Sequence, residues 1–283
     1  MAHRRSAREL ERDAARRPGP RRAVEATGGE ALAMLRRRGL HPRLSRPDLP
    51  FDPGLPEESL DAIASRLGHY AFRLFLRGAI LAAADFLPAE TSRYLGAVQA
   101  EAMAEDCVAL GLAERRLRGR YRLRTRARSF GGTLEWWVAR ELSARLGLEA
   151  EIGVRSGAPG VGGDLDLVAA AEGKLLYVEL KSGPPKHLTD AEVRSFLLRL
   201  RAVRPDVALL AIDTSLRLSD KVLPMVERAL ERSGGVEATP RRLLRETWAI
   251  TPHLYLVSAK ESLIDNACRA LAEGLRALAP PGP

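Results

Sequence analysis

The chain has 283 residues, with 45 Lys and Arg against 36 Asp and Glu, five His and two Cys, which is a globular composition with room for about two domains. Its longest uncharged run, Thr247 to Ala259, is broken by Pro252 and is far short of the roughly 20 apolar residues a membrane span needs, which excludes a spanning segment. The first 17 residues alternate Arg with Glu and Asp and lack an apolar stretch, unlike a secretory signal or an acid-poor transit peptide, so a cytoplasmic location is expected.

The net charge of +9 lies entirely in the first part of the chain: residues 1–130 carry 25 basic and 16 acidic side chains, and residues 131–283 carry 20 of each. Such asymmetry suggests an N-terminal part that faces an anionic partner and an electrically balanced C-terminal part. An Arg-rich coding bias is the alternative source, since 40 of the 45 basic residues are Arg. Residues 1–57, with 13 Arg and few large apolar side chains, are expected to form a basic, largely disordered arm containing one short helix around Val24 to Arg38.

From Ser59 the apolar spacing is helical (Leu60, Ile63, Leu67, Tyr70, Leu74, Phe75, Ile80, Leu81) until Pro88. A second helix is expected after Thr91 and a third over Val98 to Leu110. Gly111 ends it, and a hairpin follows: Leu112 to Leu117, a turn at Arg118 and Gly119, then Arg120 to Arg128. Three helices and a hairpin are the order of a winged helix, which assigns residues 58–130 to a nucleic-acid-binding domain. In its second strand Arg120, Arg122, Arg124, Arg126 and Arg128 alternate with Tyr121, Leu123, Thr125 and Ala127. Period 2 would put five guanidinium groups on one face at about 6.6 Å spacing, suited to successive phosphates. Arg115, Arg116 and Arg118 extend this basic surface along the hairpin. A charged edge strand guarded against aggregation gives the same pattern.

Residues 131–283 read as α/β: helix Gly132–Leu146, strand Leu148–Val154, a Gly-rich loop from Ser156 to Gly163, strand Asp164–Ala170, a turn at Glu172 and Gly173, and strand Lys174–Ser182. Then come helix Asp190–Val203, strand Val207–Asp213, helix Ser219–Arg232, strand Thr247–Val257 and helix Glu261–Leu278. Trp136 and Trp137 are expected to pack between the two domains. Cys107 and Cys268 sit in apolar helical patterns and read as small core residues.

A two-residue loop at Glu172 and Gly173 sets Asp166 opposite Glu179 and Asp164 opposite Lys181, with Leu165, Leu167, Leu176, Val178 and Leu180 on the other face. An odd-length loop would slip this register. Facing carboxylates repel unless a divalent cation lies between them. Lys181 is one of only five lysines, and a compact ammonium can orient or deprotonate a water in ways a guanidinium does poorly. On the preceding helix, laid out at about 100° per residue, Glu135 falls inside the apolar arc between Leu142 and Leu146. Glu141 lies at the edge of that arc.

Asp166 followed by Val178-Glu179-Leu180-Lys181 on a strand, hairpin, strand context resembles the PD-(D/E)xK nuclease superfamily, and the resemblance covers roughly residues 131–213. It implies a restriction-endonuclease-like mixed sheet flanked by helices. It further implies that Asp166, Glu179 and the Leu180 carbonyl hold Mg²⁺, with Mn²⁺ as a substitute, that Glu135 contributes directly or through a water, and that Lys181 positions the attacking water or the scissile phosphate. The resemblance leaves open whether Asp164 replaces a neutral position or adds a ligand. The expected activity is Mg²⁺-dependent hydrolysis of phosphodiester bonds in DNA, with a homodimer favoured for double-strand cutting. The alternative is a DNA-binding protein whose nuclease-like domain does not cut.

Overall fold

The computed structural model describes residues 29–157, 162–234 and 238–279. Residues 1–28 and half of the Gly-rich loop, residues 158–161, lie outside the described residues. From Gly29 onward the segment expected to be a disordered arm is instead part of the fold. Helix α1 (Glu30–Arg37) buries Ala31, Leu32, Met34 and Leu35 against the sheet. Strand β1 (Pro42–Leu44) then pairs antiparallel with β4 (Glu149–Ser156), so backbone hydrogen bonds order a stretch whose side chains gave no strand signal. Arg38 ties the helix end down through Asp206, at 3.0 Å.

The next segment contains α2 (Glu57–Leu67), α3 (Tyr70–Ala82), α4 (Ala97–Ala109) and a hairpin of β2 (Ala113–Arg115) and β3 (Tyr121–Leu123). Three helices and a hairpin are present, but the division differs from expectation. The helical run from Ser59 breaks at Gly68, where the Arg73 guanidinium takes the Leu67 carbonyl at 2.6 Å and the Gly68 carbonyl at 3.2 Å. No helix forms directly after Thr91; a single turn at Pro88–Glu90 leads to α4.

The long arginine strand is also corrected. Strand β3 ends at Leu123, because Ala127 and Phe130 turn into the core and the backbone N–H groups of Arg128 and Ser129 donate to Asp48. Of the five arginines expected in a row, only Arg122 lies within β3.

The main sheet has eight strands in the order β1-β4-β5-β6-β7-β10-β9-β8. It adds β5 (Asp164–Ala171), β6 (Lys174–Lys181), β7 (Val207–Ile212), β8 (Arg241–Leu244), β9 (Thr247–Thr251) and β10 (Leu254–Ser258) to β1 and β4. Strands β6, β7 and β10 run parallel and the other pairs antiparallel, giving the mixed sheet expected of a restriction-endonuclease-like domain. The strand expected over Thr247–Val257 is two strands, because Pro252 and His253 form a turn and Pro cannot donate to a central ladder. Helices α5 (Gly131–Leu146) and α8 (Leu263–Leu278) cover one face; α1, α6 (Asp190–Val203) and α7 (Val222–Arg232) cover the other.

One apolar core runs across residue 130, from Leu49 and Phe75 in the helical segment through Leu134 and Trp137 to Val257 and Leu271. Trp136 meets Phe51 edge-on at 4.9 Å, and the Arg73 guanidinium stacks on Trp137 at 4.5 Å. Both tryptophans therefore pack where the helical segment meets the sheet. Cys107 is buried and Cys268 half-buried, both free thiols, and burial pushes the Cys107 thiol up to about 12, leaving it unreactive. No helix among the described residues is long and apolar enough to cross a membrane.

Candidate active site

The hairpin that carries the site has the expected register. Residues 172 and 173, with φ of 52° and 71°, make the left-handed two-residue turn that matches strand twist, and Ala171 pairs with Lys174 through to Leu167 with Val178. Beyond Leu167 and Val178 the ladder stops, and the Leu180 N–H donates instead to the Asp166 carboxylate at 2.7 Å. Asp164 does not meet Lys181 as expected; it pairs with Arg155 on the neighbouring strand at 3.0 Å.

Leu165 also departs from expectation. It packs with Val154 on the α6 face, while Leu167 packs on the α5 face. Gly153, with φ of 61°, lies between the paired residues Ile152 and Val154, and Asp166 between Leu167 and Leu165. This left-handed residue, accessible to Gly without strain, coincides with the change of face. Asp166 consequently sits where the pleat is interrupted and both faces come within reach.

There the structure brings together Glu135, Asp166, Glu179 and Lys181. Glu179 is 1% exposed and heavily bonded. Its Oε1 accepts from Lys181 Nζ at 2.9 Å and from an Arg199 guanidinium nitrogen at 2.6 Å, and its Oε2 accepts from the Tyr177 hydroxyl. Burial works to raise this carboxyl, but Lys181, Arg199 and Tyr177 outweigh it and hold it below the ordinary carboxylate range. Lys181 is the reverse case: burial opposes its charge, but Glu179, Asp166 and Glu192 raise it, so it stays an ammonium.

Asp166 and Glu135 have less compensation. Burial, with the Glu179 charge next, pushes Asp166 up to about 7. Burial, then the charges of Asp166, Asp164 and Glu179, pushes Glu135 up to about 8. Glu135, half-buried on α5, thus lies close enough to the strand carboxylates to feel their charge. Glu141, six residues on and about 9 Å further along the helix, pairs with Arg145 at 3.0 Å.

These raised values set a stability profile. From about pH 4, where unfolded carboxyls ionise, up to about 8, the native chain keeps protons that the unfolded chain has lost, so stability is fullest below that window and falls as pH rises through it. In EDTA the melting temperature should drop by roughly 5 °C or more between pH 5 and pH 8.5. Asp166→Asn should flatten the slope; a wild-type melting curve insensitive to pH over this range would contradict the charge clustering.

The sequence pattern does not single out Arg199. It is 8% exposed and joins three elements: it donates to Glu179, to the Tyr177 hydroxyl at 3.0 Å, and to the Gly162 carbonyl at 3.2 Å in the loop before β5. The helical wheel of α6 carries a signal for it, since Arg199 lies about 40° from Val203, at the border of the apolar arc. His187 is exposed.

The basic hairpin is more self-paired than expected. Arg115 binds Glu105, Arg116 binds Glu114 at 3.1 Å and Asp85 at 3.8 Å, and Arg122 binds Asp85 at 2.5 Å. Arg120 donates to the Asp85 carbonyl at 3.1 Å and Arg124 to the Ala113 carbonyl at 3.4 Å. The exposed side chains of Arg118, Arg126 and Arg128 have no ion-pair partner among the described residues.

Among the described residues no group of three His, Cys, Asp or Glu side chains is arranged to hold a metal ion. Glu179 is meanwhile fully engaged, its Oε1 accepting from two cationic donors. No protein-family model matches the chain, and no curated protein matches it. Among solved structures it is similar to protein VC1899 from Vibrio cholerae, with a TM-score of 0.51 and 17% identity over 87% of this chain and 61% of that one. It also aligns with Can2 from Sulfobacillus thermosulfidooxidans, solved in complex with cyclic tetra-adenylate, at 15% identity over 85% of this chain and 60% of that one, with a TM-score of 0.49. The chain thus spans about three fifths of the length of each. At such identity the likeness to VC1899 concerns the fold.

Proposed function

We propose that the chain is a metal-dependent nuclease that hydrolyses phosphodiester bonds in DNA, with its site at the start of β5 and the end of β6. The observation that carries this reading is the gathering of Glu135, Asp166, Glu179 and Lys181 at the point where the β5–β6 ladder opens. A purely structural polar cluster would pair its carboxylates, whereas Glu135 lies close enough to Asp166, and Asp166 to Glu179, for the neighbouring charge to add to burial in raising its proton affinity.

The donor chemistry fits a hard divalent ion: the three side-chain donors are all carboxylates, whose mutual repulsion a cation would relieve. Asp166, Glu179, the Leu180 carbonyl and Glu135 would hold Mg²⁺ or Mn²⁺. Such an ion, when bound, lowers the pKa of a water and offsets charge in phosphoryl transfer. Asp166 is held by the Leu180 N–H. Lys181, kept protonated by its carboxylate neighbours and 25% exposed, donates toward the phosphate or the attacking water instead of removing a proton. The winged-helix-like segment would supply sequence-independent affinity, with Arg118, Arg126 and Arg128 free for phosphates.

The test is incubation of the purified protein with supercoiled plasmid in Mg²⁺, in Mn²⁺ and in EDTA, alongside Asp166→Asn. Nicking or linearisation by the wild type that requires the ion and is lost in the variant is expected. DNA that is bound but left intact, on plasmid and on single-stranded and branched substrates alike, would favour a non-cleaving DNA-binding protein. The saturation of Glu179 is the observation on the side of that second reading.

A further inference from the structure

The buried part of the site has a simple charge count. Three carboxylates (Glu135, Asp166 and Glu179) face two cations (Lys181 and Arg199), leaving a net charge of −1 when all are ionised. The neighbouring acids do not alter this inner count: Asp164 is neutralised by Arg155 at 3.0 Å. Glu192 is exposed, 4.0 Å from Lys181, and its carboxylate caps the start of α6. A divalent cation added to this set gives +1, and a phosphodiester added to both gives zero. Without Arg199 the same set would be at −2, neutralised by the divalent cation alone.

From this count and from the position of Arg199, we infer that Arg199 is a built-in counter-cation that makes metal binding depend on the phosphate substrate, so the site fills with both together and only weakly with the metal alone. The inference rests on the nuclease reading above and assigns Arg199 a positioning and gating role. Its guanidinium is 2.6 Å from Glu179 Oε1 and nearly buried, so its charge is poorly screened. It is fixed at three points, on Glu179, Tyr177 and the Gly162 carbonyl, and cannot swing out without breaking them all. The Gly162 bond also reaches the loop that precedes Asp166. Gly163, with φ of 87°, takes the left-handed conformation that glycine adopts without strain at the point where this loop enters β5.

The experiment is calorimetric titration of the full-length protein with Mn²⁺, with and without a nuclease-resistant phosphorothioate oligonucleotide. Wild type, Arg199→Gln, Arg199→Met and Tyr177→Phe are compared, with circular dichroism as the folding check. Arg199→Gln keeps a donor for buried Glu179, so it remains informative if Arg199→Met fails to fold. The expected result is a wild type whose Mn²⁺ affinity rises at least 10-fold with the oligonucleotide. The neutral Arg199 variants should bind Mn²⁺ at least 10-fold more tightly than wild type without it and gain less than 3-fold from it. Tyr177→Phe, which removes a hydrogen bond but no charge, should stay within about 3-fold of wild type.

Weaker or unchanged Mn²⁺ binding in the folded Arg199 variants overturns the inference, since an arginine that merely orients Glu179 for the ion gives that result. So does a wild type that binds Mn²⁺ equally well with and without the oligonucleotide; in both cases the nuclease reading stands. Absence of Mn²⁺ binding in every protein under both conditions removes the nuclease reading and this inference with it.

Discussion

Lys181→Ala is expected to lower the Mg²⁺-dependent cleavage rate by about 100-fold or more, with a melting temperature within a few degrees of wild type, because the loss falls on the chemistry and not on the fold. A positioned donor aimed at charge that develops in the transition state is typically worth about 10² to 10³ in rate. Lys181 is placed for that role: its ammonium is anchored on Glu179 at 2.9 Å, remains one quarter exposed, and is kept charged by surrounding carboxylates. Removing it does not orphan Glu179, which retains Arg199 at 2.6 Å and the Tyr177 hydroxyl. Lys181→Arg should not rescue, because a planar guanidinium cannot occupy the place of a compact ammonium without displacing its neighbours. Single-turnover cleavage of a labelled duplex would read the effect, and a folded Lys181→Ala protein within 3-fold of wild type would remove the lysine from the mechanism.

The elements around this lysine were legible because their signals are local. The helix over Asp190–Val203 is bounded by a Thr189 and Glu192 capping box and the hairpin by a turn that needs positive φ at Glu172 and Gly173, so both ends are written in adjacent residues. Strands β1 and β8 were not legible. Each is three or four residues at a sheet edge, held by backbone pairing that leaves no mark on side-chain pattern. The arginine row misled for a related reason: alternation from Arg120 to Arg128 fixes a face only while the chain stays extended, and Ala127, Phe130 and Asp48 take it out of the sheet. In the site, the carboxylates and the lysine could be found because they lie on one hairpin and one helix. Their partner Arg199 lies 20 residues from Glu179 on the next helix, and only tertiary packing decides that it turns inward.

The largest stability effect should come from Asp213. It follows the last residue of β7, is 1% exposed, and pairs with two arginines of α3. Arg73 reaches it with Nε at 3.1 Å and a terminal nitrogen at 3.0 Å, and Arg77 at 2.9 Å. Arg73 is itself 2% exposed, stacks on Trp137, and caps the end of α2 through the Leu67 carbonyl. Burial lowers the proton affinity of Arg77 even with Asp213 beside it, a sign of how costly these charges are to enclose. Asp213→Ala would leave two guanidinium groups, one fully and one largely buried, without an anion. The expected cost is about 3–5 kcal/mol, a fall of roughly 10 °C or more in melting temperature for a chain of this size. Arg73→Met with Asp213→Asn should be milder than Asp213→Ala alone, because no uncompensated charge is left beside Trp137, although Arg77 then faces an amide and the α2 cap is lost. The pair joins residues 140 apart and fixes the helical segment against the parallel strand next to Lys181, whose carbonyl accepts from the Asp213 N–H at 2.8 Å. Thermal and urea unfolding of the variants decides the matter: a melting temperature for Asp213→Ala within 3 °C of wild type would show that the helical segment is held by its apolar core alone.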